Sequence, residues 1–140
     1  MKRSWCILVM CVGLAFSAAL HAAEFKPYLG ARIDEKATEE ANEAARAAKM
    51  TNVKSIIYTT SDPFDKVCSF YKDIAREVAM PRSSGTTGRP KKYEQYDLWE
   101  AYFIFDDAKD LAGSKLWVKI QRPYIGEEVR NVTAIILTQK

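Results

Sequence analysis

The side chains of this sequence best suited to chemistry are aromatic and basic. Tyr58, Trp99, Tyr102, Trp117 and Tyr124 offer flat apolar area with polar edges, the composition of a groove for an apolar or amphipathic small ligand. The stretch MPRSSGTTGRPKK, residues 80–92, holds Arg82, Arg89, Lys91 and Lys92 and no acid. Uncompensated bases on a turn-rich loop attract anions, acidic polymers or lipid headgroups. Its Gly85 and Gly88 stand too close for the phosphate-loop pattern, and no Lys-Ser or Lys-Thr pair follows them. Nucleophilic and metal chemistry are poorly supplied. Cys68 sits on an apolar helical stripe between Phe64 and Tyr71, the place of a packing thiol. Asp106, Asp107 and Asp110 lack the spacing of a calcium loop and a closing Glu. No two carboxylates stand at a spacing that reads as an acid–base pair. The expectation is no catalytic residue, no metal site and no cofactor.

The only histidine, His21, belongs to a segment that the fold does not need. Lys2 and Arg3 precede a run of 16 uncharged residues, Trp5–Leu20, and Ala22 and Ala23 follow before the first acid, Glu24. A basic start, a short apolar run and a small-residue exit are the parts of a secretory signal peptide. The run is short for a bilayer, which takes about 20 apolar residues. Residues 1–23 therefore read as a leader cut within residues 19–23, and residues 24–140 as one periplasmic or secreted domain without stable membrane insertion. Removing Lys2 and Arg3 lowers the 21 Lys+Arg to 19 against 18 Asp+Glu, a net charge of +1. That balance does not point to nucleic acid. Cys68 is then the lone cysteine, so stability has to come from a packed core rather than a disulfide.

The elements that would position these side chains follow from periodicity. Asp34 caps an alanine-rich helix reaching about Met50, with acids in its first turns and Arg46 and Lys49 at its end. Val53–Thr60 is β-branched and aromatic, a strand. Asp62 as N-cap and Pro63 as first residue open a second helix. Along it Phe64, Val67, Cys68, Tyr71, Ile74, Ala75 and Val78 keep the i, i+3, i+4 rule. Strands within residues 93–105, at 115–122 and at 132–139 complete a β-α-β-β-β order. The expected fold is α+β: a two-layer sandwich with a four-stranded, mainly antiparallel sheet, one packed helix and the additional N-terminal helix. The alanine helix has no large apolar side chain, which leaves one sheet face to be closed by a second copy or a ligand.

The stretch YTTSDPFDKVCSFYKDI, with the later AYFIFDD and KLWVKIQRP, resembles small exported bacterial domains of unknown function. That resemblance implies a fold and a compartment. The β-α-β-β-β order with Phe-Tyr on the helix is also similar to a single module of the vicinal-oxygen-chelate superfamily. There, two modules pair around a cleft that often holds a metal through His and Glu; this chain supplies one module and essentially no histidine, which departs from metal-dependent chemistry and leaves open a homodimer with a cleft. Together these readings lead to an exported non-enzymatic domain that binds a ligand or partner. The alternatives are a small cofactor-independent enzyme and a structural subunit of an envelope assembly.

Overall fold

The structure is a computed structural model that describes residues 24–140. The expected leader, with Cys6, Cys11 and His21, lies outside the described residues. The elements run β1 (Arg32–Ile33), α1 (Glu35–Ala47), β2 (Lys54–Thr60), α2 (Phe64–Lys72), β3 (Arg76–Val78), β4 (Lys91–Tyr93), β5 (Tyr96–Ile104), β6 (Leu116–Arg122), β7 (Tyr124–Ile125), β8 (Val129–Arg130) and β9 (Thr133–Gln139). The fold is α+β. Seven strands form one antiparallel sheet in the order β1-β2-β9-β6-β5-β3, with β4 also on β5, and β7 and β8 form a small separate ribbon.

The expected sheet of four strands is corrected to seven. The four expected strands are the long ones, β2, β5, β6 and β9, and β5-β6-β9 is a meander with β2 beside β9. The three added strands are two or three residues long, too short to carry a period of their own. One of them, β3, lies inside the stretch expected to continue α2 to Val78. The helix instead ends at Lys72, where the Tyr71 carbonyl accepts from both the Ile74 and Ala75 N–H groups (3.2 and 2.8 Å). The chain then turns, and Arg76, Glu77 and Val78 pair with Ile104, Phe103 and Tyr102.

The start of α2 also differs from expectation. Pro63 is its N-cap, without a side-chain cap bond. The Asp62 carboxylate makes other bonds, accepting from Tyr28 Oη at 2.6 Å and pairing with Lys66 at 3.4 Å. Tyr28 belongs to a strap, residues 24–31, that crosses α2. Phe25 of the strap stacks on Tyr71 at 6.1 Å, and Tyr71 Oη donates to the Lys26 carbonyl at 3.0 Å. Beneath the strap lies the main core. Phe64, Val67, Cys68 and Tyr71 of α2 meet Ala101, Phe103, Phe105, Val118, Ile120, Ile135 and Leu137 of the sheet.

On the other face, α1 covers only the β2–β9 side. Asp34 caps it as expected, accepting from the Ala37 N–H at 2.9 Å. Ala37 and Ala41 pack with Ile57, Ala134 and Tyr124. The greater role of α1 is at the sheet edge. β1 pairs with Thr59 and Tyr58, and the Asp34 N–H reaches the Ile57 carbonyl at 2.8 Å. Beyond that point helix side chains take over. Thr38 Oγ1 accepts from the Ile57 N–H at 2.9 Å. Asn42 Oδ1 accepts from the Ser55 N–H at 2.9 Å, and Asn42 Nδ2 donates to the Ser55 carbonyl at 2.8 Å. Two residues one helical turn apart thus satisfy the edge that a further strand would otherwise pair with.

Candidate functional site

The strand registers decide where the five aromatic candidates go. Paired residues share a face. Trp99, opposite Arg122, therefore lies on the α2 face with Ala101 and Phe103, and Tyr58, opposite Ile135, lies there too. Tyr102, opposite Lys119, and Trp117, opposite Ile104, lie on the α1 face. Tyr124 is buried on β7 under α1. The five residues do not line one groove. Tyr58 packs into the core against Phe25 at 5.6 Å. Tyr102 and Trp117 stand 6.2 Å apart on the half of the α1 face that α1 leaves uncovered. Lys119 lies over the Tyr102 ring and pairs with Glu100 at 2.5 Å.

Trp99 is the aromatic candidate that reaches a cleft of ligand size. Its ring rests on Phe64, 5.9 Å away, at the start of α2. Beside it a cleft of about 450 Å³ opens, lined by Tyr96, Asp97, Trp99, Arg122, Pro123 and Asn131. Small-molecule sites occupy about 300–1,000 Å³ and combine an apolar wall with a few placed polar groups. Here Tyr96, Trp99 and Pro123 are the wall, and Asp97, Arg122 and Asn131 are the polar groups.

Arg122 is held in place. Its Nη1 donates to the Asp62 carbonyl at 3.2 Å and to Thr133 Oγ1 at 2.9 Å. Its Nη2 donates to the Asn131 carbonyl and to Asn131 Oδ1 at 3.3 and 3.2 Å. Thr133 Oγ1 in turn donates to the Asp62 carbonyl at 2.6 Å. The guanidinium thus ties the end of β6 to the turn before α2 and to the start of β9. Arg122, Asn131 and Tyr96 are cleft residues that the sequence alone does not assign to a ligand site. Arg122 precedes Pro123 at a strand end and reads there as a terminator; only the register places it opposite Trp99.

The basic candidates are spread along the neighbouring edge. Ser83 and Ser84 hydroxyls donate to the Glu100 carbonyl at 2.6 and 3.0 Å, and Thr86 binds the Glu77 carboxylate through its N–H and hydroxyl. Gly88 approaches the Ser84 carbonyl so closely that a Cβ there would lie 2.2 Å from its oxygen. The segment is therefore fastened to the sheet, and Arg82 and Arg89 extend from it into solvent. Lys91 and Lys92 are on β4, paired with Leu98 and Asp97, next to the part of β5 that lines the cleft. Lys92 is in an ion pair with Asp97 at 2.6 Å.

Of the other chemical candidates, Asp107 is exposed, and Cys68, Asp106 and Asp110 have structural surroundings of their own. Cys68 is buried, and burial pushes its thiol up to about 12. Asp106 accepts from the Ser114 hydroxyl at 2.8 Å and from the Lys115 N–H at 2.6 Å, and Asp110 accepts from the Gly113 N–H at 2.9 Å. Among the described residues no group of three or more His, Cys, Asp or Glu side chains gathers as a metal site. A second cavity, about 200 Å³, lies between α1 and the β7–β8 ribbon. In it Arg130 pairs with Asp34 and stacks on Tyr124, and Lys36 bridges Glu40 and Glu127. Comparison with protein families, curated proteins and solved structures gives no match.

Proposed function

We propose that this protein is an exported, non-enzymatic binding domain that takes a small ligand in the cleft beside Trp99. The observation that carries the reading is the coincidence, in one cleft, of an aromatic wall with a guanidinium fixed by four hydrogen bonds. A site held so firmly is preorganised for binding. The basic start, apolar run and alanines of residues 1–23 support export. Mass spectrometry of the protein purified from the envelope or medium of its host tests both parts at once. The expected result is an N-terminus between residues 20 and 24 and a retained small molecule that Trp99→Ala loses. An intact Met1 on membrane-extracted protein overturns export. With Trp117→Phe leaving Trp99 as the reporter in the processed chain, an emission spectrum unmoved by saturating anilinonaphthalene probes overturns the cleft.

A second reading, self-association, is supported by the half of the α1 face that α1 does not reach. Val78, Tyr102 and Trp117 are half-buried there, and among the described residues Trp117 Nε1 is buried without a hydrogen-bond partner. Packing of a second copy on this face gives a dimer in light scattering at micromolar concentration; a strict monomer excludes it.

A further inference from the structure

The charge balance of the cleft indicates what kind of ligand it takes. Asp97 is neutralised by Lys92 at 2.6 Å. Arg122 has no such partner among the described residues: it is half-buried, all four of its hydrogen-bond partners there are neutral oxygens, and it enters no ion pair with them. An arginine that serves only as a structural tie gains more from a carboxylate than from carbonyls and a hydroxyl, because a carboxylate adds the attraction of an opposite charge and a matching bidentate geometry to the hydrogen bonds. Holding a guanidinium partly out of water without a counter-charge has a desolvation cost that an incoming anion removes. Two of its bonds, those from Nη2 at 3.3 and 3.2 Å, go to Asn131, an exposed residue of the cleft rim. An incoming carboxylate or phosphate group would take the place of that pair, while the Nη1 bonds to the Asp62 carbonyl and Thr133 Oγ1 keep the guanidinium in position. The wall beside it is aromatic, with Trp99 seated on Phe64 and Tyr96 also lining the cleft.

We infer that the cleft binds an amphipathic organic anion, its flat apolar body against Trp99 and Tyr96 and its carboxylate, sulfonate or phosphate group on Arg122. This rests on the cleft being a binding site and adds the chemical class of the ligand and the residue that selects it.

The test compares two probes with one ring body and different charge: 8-anilinonaphthalene-1-sulfonate and the uncharged N-phenyl-1-naphthylamine. Binding is read by probe emission and by amide shifts at residues 96–99, 122 and 131. The sulfonate is expected to bind about tenfold more tightly than the neutral probe, with an affinity that weakens several-fold as salt rises to about 1 M. Arg122→Gln should abolish the preference and leave binding of the neutral probe; Arg122→Lys should keep part of it. If Arg122→Gln does not fold, Arg122→Lys and the salt dependence of the unaltered protein still decide. Equal affinities for the two probes, or a sulfonate affinity indifferent to salt, overturn the anion assignment and leave the cleft as an apolar site. Absence of binding by either probe, or shifts confined to other residues, overturns the cleft itself.

Discussion

Replacing Asn42 by Ala tests whether α1 completes the sheet edge or only rests on it. The substitution removes the bonds from Asn42 to the Ser55 N–H and Ser55 carbonyl. Each is worth about 0.5–1.5 kcal/mol net, about 1–3 kcal/mol together. Alanine is the better helix former by about 0.5 kcal/mol, which offsets part of the loss. The net effect is a destabilisation of about 1.5 kcal/mol. In urea, where a small domain loses about 1–3 kcal/mol per molar, that lowers the midpoint by about 0.5–1.5 M. Glu43→Ala, one residue further and exposed, should change stability by less than about 0.5 kcal/mol. Asn42→Asp sharpens the test, because it keeps an acceptor for the Ser55 N–H but turns a carboxylate toward the Ser55 carbonyl; it should be the least stable of the three. Amide exchange at Ser55 and Ile57 should accelerate in Asn42→Ala while that in β5 and β6 changes only with global stability. Equal midpoints for Asn42→Ala and Glu43→Ala, or unchanged exchange at Ser55, would refute the edge-closing role.

The remaining expectations concern titrating groups. Tyr28 is raised to about 12 from 10.0 by its hydrogen bond to Asp62, by burial and by the Asp62 charge. Its folded value lies above the unfolded one, so the bond stabilises fully below pH 10 and is lost as pH rises through about 12. The stability gap between the wild type and Tyr28→Phe should therefore shrink across that interval, and a Tyr28 that ionises at the ordinary tyrosine value contradicts the bond. Asp34 is lowered by the Ala37 N–H and by Arg130, so its contribution is present above the unfolded carboxylate pKa and disappears as pH falls through the folded one. Asp34→Asn should converge with the wild type in acid, and a constant gap argues against a charged cap. Cys68, pushed up to about 12 by burial, should react with a thiol reagent at neutral pH only as fast as the protein unfolds; rapid labelling of the folded protein would place it at the surface.

The parts of the fold legible in the sequence are those in which one pattern spans many residues. The four long strands each present a run of β-branched or aromatic residues, and Asp34 precedes a run of helix formers, so both were readable. The apolar period of α2 was readable too, but it misled past Lys72. Ile74 and Ala75 still pack against the main core, yet Val78, at the same helical spacing, lies on β3 opposite Tyr102 of β5, on the sheet face away from α2. Periodicity records which side chains are buried and is silent on which backbone partner holds them. Asp62 was misread for a related reason. Its position suits a helix cap, but Tyr28, 34 residues earlier, offers its carboxylate a hydrogen bond of 2.6 Å.

The same limit governs the site. Aromatic residues could be counted in the sequence, but whether they share a groove depends on register, and register separates Trp99 from Tyr102 and Trp117 by placing them on opposite faces. What makes the cleft distinctive is the charge of Arg122 without a counter-ion among the described residues, a property of where Asp62, Asn131 and Thr133 come to lie around it. The basic loop read from the sequence and the cleft seen in the fold are neighbours through β4, whose Lys92 neutralises Asp97. That pairing removes the one negative charge on the cleft wall. If Lys92→Ala leaves Asp97 unpaired, the carboxylate then opposes the anion that Arg122 attracts. The sulfonate probe should lose affinity while the neutral probe does not, and Asp97→Asn in the same chain should restore it. A loss shared equally by both probes would mean that Lys92 shapes the hairpin and takes no part in setting the charge of the cleft.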